Sequence, residues 1–268
     1  MHCRIPARGG CKASPFYVER RFLDCMKLLI IRHADPDYAI DSLTEKGWRE
    51  AEYLSEHLAN VPIDHVYVSP LGRAKDTAGL TLGKIGKTAV EKEWLREFDK
   101  LIDRPDVTTK KMIVWDWLPQ DWTAEERFFS RNHWFENERL ARAEVEKEYR
   151  WVTENLDQLL ASHGYVREGE IYRAVRPNTE TVALFCHFGV QCVMLSHLLH
   201  FSPMLLWHDL MAPPSSVTTL TTEERREGTA HFRLNGFGDI SHLTMHGEPP
   251  AFAGRFCECW MNKEERHD

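Results

Sequence analysis

Two arginines and two histidines stand at positions where a folded chain could use them for chemistry. Arg32 and His33 directly follow an apolar run, His187 follows a second one, and Arg73 comes shortly after a Ser-Pro pair. Guanidinium groups hold phosphate through paired hydrogen bonds that an ammonium group cannot make. A neutral histidine can attack phosphorus and carry the phosphoryl group, and neighbouring arginines keep a histidine neutral. These residue types therefore predict chemistry on a phosphorylated ligand.

The apolar runs before these residues predict strands that are covered on both faces. Residues 28–31 and 182–185 are continuous apolar stretches of strand length. Parallel strands deliver the residues after them to the carboxyl edge of a sheet, where α/β proteins bind ligands. A single polar pair at the end of such a run could simply cap a core strand. Because the arrangement occurs twice, we favour a functional site at this edge.

Helical and strand patterns alternate along the rest of the chain. Thr44 is the expected N-cap of a helix, and a longer helix is predicted to end near Gly164. The expected buried stripe of the first helix consists of Trp48, Ala51, Leu54 and Leu58. Hairpins are expected within 165–180 and between 217–220 and 231–234. The alternation predicts an α/β fold, a three-layer α/β/α sandwich with a mostly parallel central sheet.

An aromatic segment, about residues 100–137, interrupts this alternation. Its large side chains are Trp115, Trp117, Trp122, Phe128, Phe129 and Trp134. We interpret it as an inserted cap that covers the sheet edge and recognises the substrate. The alternative is that these rings only pack a subsidiary core.

The 268 residues are predicted to form one main domain, since 43% of them are hydrophobic and can bury a sizeable core. Residues 1–25 lack periodicity and are expected to be a disordered leader, with Met26 as the natural start. The catalytic domain is assigned to 26–246 and a C-terminal tail to 247–268.

The net charge, the hydrophobicity pattern and the cysteine count argue against some classes of protein. A net charge of −7 argues against a nucleic-acid binder. No apolar run approaches the roughly 18 residues that span a membrane. The seven cysteines are scattered through a chain too long to need disulfides, which favours a cytoplasmic location. We therefore expect neither a nucleic-acid nor a membrane partner, and the oligomeric state is left open.

Six short segments resemble, in order and spacing, the motifs of the histidine phosphatase superfamily, the phosphoglycerate-mutase-like fold. They are Arg-His-Ala at 32–34, Leu-Thr-Glu-Lys-Gly at 43–47, the Ser-Pro-Leu-Gly-Arg-Ala segment at 69–78, Leu-Arg-Glu at 95–97, Cys-His-Phe-Gly at 186–189 and Ser-Val-Thr at 216–218. The likeness spans about 27–243. Ala34, Pro36 and Phe188 depart from the usual residues, but no charged group is missing.

The resemblance implies a role for each candidate residue. His33 would be the nucleophile, and Glu97 the acid and base that protonates the leaving oxygen and then activates water. Arg32, Arg73 and His187 would clamp the phosphoryl group. No cofactor and no metal are implied. For the acid, Glu93 and Asp99 lie within a few residues of Glu97 and stay open.

The reaction expected from the resemblance is hydrolysis of a small phosphorylated metabolite through a phosphohistidine intermediate. A phosphoglycerate-mutase-type phosphotransferase is the alternative, although the mutases begin Arg-His-Gly-Glu-Ser-x-x-Asn and this chain has Asp35-Pro36-Asp37 after Arg32-His33-Ala34. Two other classes stay open. One is a metal-dependent hydrolase that uses His33, Asp35 and Asp37, and the other is a non-catalytic phospholigand-binding module.

Overall fold

A mixed sheet organises the fold in the computed structural model, which describes residues 25–251. Within those residues the strands are β1 Lys27–Arg32, β2 Pro36–Asp37, β3 Ser42–Leu43, β4 His65–Val68, β5 Val90–Glu91, β6 Leu101–Ile102, β7 Met112–Ile113, β8 Tyr165–Glu168, β9 Ile171–Ala174, β10 Thr181–Cys186, β11 Val217–Arg226 and β12 Thr229–Asp239. Eight of them form one sheet in the order β5-β4-β10-β1-β11-β12-β9-β8. The pairs β2-β3 and β6-β7 form two small separate ribbons.

The core of this sheet is parallel, as predicted. Strands β5, β4, β10 and β1 run in the same direction, and the sheet then continues through antiparallel strands from β11 onward. Both predicted hairpins are present, as β8-β9 and β11-β12. Because β1 lies directly beside β10, with Arg32 opposite Cys186, the residues after both strands emerge side by side.

Helices cover both faces of the sheet. Within the described part of the chain they are α1 Glu45–Leu58, α2 Gly72–Ile85, α3 Pro119–Trp122, α4 Glu138–Arg142, α5 Val145–Ser162, α6 Phe188–Leu199, α7 Pro203–Asp209 and α8 Ser241–Met245. Three short 3-10 segments span Glu93–Leu95, Glu126–Phe129 and Trp134–Glu136. None of the helices found between residues 25 and 251 is long and apolar enough to cross a membrane.

Alternate side chains of β1 enter two different hydrophobic cores. Leu28 and Ile30 pack with apolar residues of α5 and α6 on one face. Leu29 and Ile31 pack with those of α1 and α2 on the other. A strand buried on both faces needs a helical layer on each side. The predicted α/β/α sandwich is therefore confirmed.

The buried face of α1 differs from the prediction at one residue. Thr44 is the N-cap, and its hydroxyl accepts a hydrogen bond of 3.0 Å from the amide of Gly47. Trp48, predicted to be buried, is 42% exposed. The inward row begins at Gly47, whose missing side chain lets the helix approach the carbonyl of Asp35. Trp48 lies about 100° further round the helix and faces away from the core.

Most aromatic rings of the 100–137 segment belong to the main core. Four of them are almost fully buried, namely Trp117, Trp122, Phe128 and Trp134. Trp134 packs edge-on against Trp207 of α7. Phe129 is half exposed, and Trp115 is only partly buried. The segment therefore contributes packing chiefly, and Trp115 is the ring that reaches the candidate site described below.

The last described residues lie against α1. Glu248 forms ion pairs with Lys46 and Arg49, and the amide of Ala251 donates to Glu50. At the other end, Met26 is fully buried and its amide donates to Thr222. Residues 1–24 of the predicted leader and 252–268 of the predicted tail lie outside the described residues.

Candidate active site

The parallel core brings the five predicted residues to one edge of the sheet. Arg32 ends β1, His33 follows it, and His187 follows β10. The two imidazole rings lie with their centroids 5.0 Å apart. Arg73 comes from the first turn of α2, and Glu97 follows the 3-10 segment Glu93–Leu95. Both guanidinium groups act electrostatically on both histidines and on Glu97, so the five side chains share one site.

His33 is held in one tautomer. The ring is 2% exposed, and its Nδ1 lies 2.7 Å from the carbonyl oxygen of Ala34. A carbonyl oxygen can only accept, so Nδ1 carries the proton and Nε2 carries the lone pair. Burial, reinforced by the charge of Arg32, lowers the pKa of His33 well below its ordinary value. The neutral ring therefore carries its lone pair on Nε2.

His187 is held through its Nε2 atom, whereas His33 is held through Nδ1. Its Nε2 lies 2.7 Å from the hydroxyl of Ser69, which also accepts a bond of 3.2 Å from the amide of Leu71. Burial and the neighbouring His33 lower the pKa of His187 well below its ordinary value. Its Nδ1 is buried without a hydrogen-bond partner among the described residues.

Each arginine is held by one end of its guanidinium group. Arg32 donates through Nη1 to the carbonyl of Ala212 at 2.6 Å, and Arg73 donates through Nη1 to Asp41 at 2.5 Å. The Nε atoms of both arginines are buried and unpartnered within residues 25–251. Buried N–H groups nearly always have a partner. Unused donors on two buried cations are suited to an anionic ligand.

Asp41 is a positioning residue that the sequence did not single out. Its second carboxylate oxygen accepts a bond of 2.7 Å from the amide of Gly72, which places the start of α2 as well as the Arg73 side chain. Its backbone adopts φ +48°, in the left-handed region that aspartate tolerates better than most residues. No spacing rule connects a loop aspartate with an arginine 32 positions later.

Glu97 is the acidic residue that lies within the site. Its Oε1 accepts hydrogen bonds from the amides of Phe98, at 2.7 Å, and Val190, at 3.1 Å. Burial raises the pKa of Glu97 in spite of these bonds and the charge of Arg32. Glu93 is exposed, and Asp99 is exposed and paired with Arg96 at 3.2 Å. The geometry therefore favours Glu97 over its two neighbours in sequence.

A close approach explains the glycine after His187. A Cβ atom on Gly189 would lie 2.6 Å from both Glu97 Oε1 and the indole nitrogen of Trp115. That indole is fixed by a bond of 2.8 Å to the carbonyl of Phe98. The Phe188 ring, a departure from the family pattern, packs edge-on against Trp115 and lies 5.6 Å from the guanidinium carbon of Arg32. These rings form an apolar wall beside the charged groups.

The carboxylates proposed as metal ligands have other partners. Asp35 accepts from the hydroxyl of Thr44 at 2.7 Å, and Asp37 accepts from the amide of Ala39 at 3.0 Å. They do not join His33 in a cluster of ligand atoms. Within residues 25–251 the one cluster with that geometry consists of His65, His163 and Glu180, at the opposite edge of the sheet.

Comparison with known proteins identifies the family of the sequence. The sequence model of the Histidine phosphatase superfamily (branch 1) matches residues 28–234. A 2,3-bisphosphoglycerate-dependent phosphoglycerate mutase of Thermoplasma acidophilum is 33% identical over an alignment of 79 residues that covers 26% of this chain and 40% of the mutase. The chain thus matches less than half the length of that curated relative.

Solved structures share the fold at low sequence identity. A phosphoserine phosphatase of Entamoeba histolytica, solved with phosphoserine, is 20% identical with a TM-score of 0.52, and the match covers 81% of this chain and 99% of that one. A mycobacterial glucosyl-3-phosphoglycerate phosphatase is 18% identical with a TM-score of 0.51, and the match covers 80% and 99% of the two chains. At these identities the likeness establishes the fold alone.

Proposed function

The chain belongs to the histidine phosphatase superfamily, and on that premise we propose that it hydrolyses a small phosphomonoester through a phosphohistidine on His33. One observation carries the proposal. Three buried donors of the site lack partners within residues 25–251, namely Nε of Arg32, Nε of Arg73 and Nδ1 of His187. A phosphoryl group is an anion with enough oxygens to accept from all three. Transfer of such a group requires mainly positioning and charge stabilisation, which these donors supply.

In the first step, Nε2 of His33 attacks phosphorus. The N–P bond forms as the bond from phosphorus to the ester oxygen breaks. The Nδ1 proton stays on the ring and remains bonded to the carbonyl of Ala34. The two arginines neutralise the charge on the equatorial oxygens, and the low pKa of His33 keeps its Nε2 unprotonated.

His187 supplies a neutral donor to the same group. The hydroxyl of Ser69 accepts from the amide of Leu71 and can direct its own hydrogen to Nε2 of His187. The ring proton then sits on Nδ1, the unpartnered atom. This tautomer provides one more hydrogen bond to phosphate without adding a third positive charge.

Glu97 moves the protons in both steps. Its raised pKa, caused chiefly by burial, lets it hold a proton on Oε2 while the amides of Phe98 and Val190 bind Oε1. That proton passes to the leaving oxygen. In the second step the carboxylate takes a proton from water, the water oxygen attacks phosphorus, and the N–P bond breaks.

Hydrolysis is favoured over transfer to a second hydroxyl. The loop after the nucleophile begins Asp35-Pro36-Asp37, where the mutases carry Glu-Ser after the residue that corresponds to Ala34. The partial likeness to a mutase makes transfer the second candidate. The two are separated by measuring free phosphate against phosphorylated acceptor when a polyol is added.

The test traps the intermediate. Wild-type protein is mixed briefly with a radiolabelled phosphate ester, quenched and examined for acid-labile label. We expect label on wild type and none on His33→Ala. The control is His197→Ala, because His197 is also hydrogen-bonded to a side chain, Asp157 at 2.9 Å, but lies outside the site. Label that persists on His33→Ala, or is lost in the control as well, would refute the assignment.

A further inference from the structure

A second cluster of ligand-type side chains lies at the opposite edge of the sheet. His65 begins β4, Glu180 immediately precedes β10, and His163 follows α5. Glu180 and His187 are separated by the length of β10, about 23 Å at the rise of an extended strand. The amino ends of the parallel strands therefore carry their own group of imidazole and carboxylate, which the proposed reaction does not use.

The donor atoms lie at distances that a small cation could span. Glu180 Oε2 lies 2.6 Å from His163 Nδ1 and 3.8 Å from His65 Nε2, and the three ligand atoms lie within 4.8 Å of one another. Tetrahedral Zn²⁺ with bonds of about 2.0–2.1 Å separates its ligands by about 3.3 Å. No pair of these ligand atoms would need to change its separation by more than about 1.5 Å to reach that geometry.

The second ring nitrogen of His163 and the second carboxylate oxygen of Glu180 already have hydrogen-bond partners. His163 Nε2 lies 2.9 Å from the hydroxyl of Tyr67, and Glu180 Oε1 accepts from Arg176 at 3.0 Å. Metal-binding histidines usually donate their second ring nitrogen to such a partner, which orients the ring. When Nδ1 binds a metal, the ring proton resides on Nε2 and the oxygen of Tyr67 accepts it.

The Glu180 side chain is 22% exposed, so its carboxylate is accessible to an ion. The His65 side chain is 46% exposed, so an ion can approach the cluster from its side.

We propose that His65, His163 and Glu180 bind a divalent transition metal ion, of which Zn²⁺ is the best match to two imidazoles and one carboxylate. The bound ion links the end of α5 to the starts of β4 and β10. It stabilises the fold and takes no part in phosphoryl transfer, since it lies a full strand length from His33.

Metal binding is measured by equilibrium dialysis of the whole protein against Zn²⁺ followed by elemental analysis. Co²⁺ serves as a second probe, since its visible absorption reports tetrahedral ligation. His65→Ala is the main variant, because this exposed side chain can be removed without disturbing the core, whereas His163 is buried. We expect one tightly held ion in wild type and at least a tenfold weaker affinity in His65→Ala, the loss that even an outer-shell change causes.

Two control variants locate the ion. His133→Ala breaks a surface pair with Glu136, 2.8 Å long, that has the same chemistry as the His163–Glu180 pair but no third ligand. His33→Ala removes the nucleophile from the catalytic pocket. Both should retain one Zn²⁺, and Zn²⁺ should raise Tm in both but not in His65→Ala. Failure of wild type to retain Zn²⁺, or loss of the ion in His33→Ala rather than in His65→Ala, would overturn the proposal.

Discussion

Replacing Gly189 by alanine tests whether Glu97 acts as the acid. The added Cβ would meet Glu97 Oε1 and the Trp115 indole nitrogen at 2.6 Å, and ordinary contact begins at 3.4 Å. The indole is held by the carbonyl of Phe98, so it cannot turn away without losing that bond. Both groups must therefore give way, the carboxylate by about 0.8 Å and the indole at the expense of its bond to Phe98.

A displacement of that size predicts a specific kinetic loss. Misplacing a catalytic group by about 1 Å costs about 100-fold in rate, or about 2.7 kcal/mol of barrier. The loss should appear in kcat/KM for an alkyl phosphate, whose leaving oxygen needs a proton. It should be under about tenfold for 4-nitrophenyl phosphate, whose leaving group departs as the anion.

Gly79 provides the matched control. It is also a helical glycine, but a Cβ there would meet nothing within 4 Å. Gly79→Ala should keep full activity and gain about 0.5–1 kcal/mol of stability from helix propensity. Both variants are compared with wild type on the two substrates, and circular dichroism with thermal melting confirms folding. Equal losses on the two substrates, or an unchanged rate in Gly189→Ala, would refute the role given to Glu97.

Three further predictions concern Glu97, Glu50 and the aromatic segment. Burial raises the pKa of Glu97, so wild-type kcat should fall as the pH rises through that pKa. Glu97→Gln should be slower and should not show this fall. The pH dependence of kcat for the alkyl ester measures both effects. Glu50, whose folded pKa is raised from 4.5 to about 7, should lower the free energy of unfolding by up to about 3 kcal/mol between pH 5 and pH 8, because its folded form keeps the proton that its unfolded form has lost. Urea titrations of Glu50→Gln should not show this decline, and a parallel decline would assign it to other groups. Trp134→Ala should cost about 3–5 kcal/mol of stability and leave KM unchanged. Trp115→Ala should instead raise KM for bulky esters more than for a small aryl phosphate. Equal changes in KM for the two substrates would show that Trp115 does not line the substrate pocket.

Several features of the site could be predicted from the sequence because they are local. Arg32, His33 and His187 directly follow apolar runs, and a strand covered on both faces leaves such a pattern wherever it occurs. The turns after these strands are formed by residues adjacent in the chain, so the motifs are short and can be recognised in the sequence. Glu97 was identified through its motif, and exposure then separates it from Glu93 and Asp99.

Other features depend on contacts between distant residues. Asp41 holds Arg73 across 32 positions, and Ser69 holds His187 across 118. Hydrophobic periodicity reports that a side chain is buried, but it does not report the partner. Trp48 illustrates the limit, since an apolar residue at nearly the right spacing lies outside because Gly47 makes the closest approach.

The amino-acid sequence by itself determined which side chains could perform the chemistry, because residue type and position after a buried strand are local properties. The tertiary structure alone decided their protonation and orientation. Burial lowers the pKa of His33 and raises that of Glu97, and both effects arise from the elements packed around them. The neighbour relation of β1 and β10, which brings His33 to His187, joins segments separated by about 150 residues. Hydrogen bonds and desolvation act over a few ångströms in space, so they follow the packing of the chain and not its order.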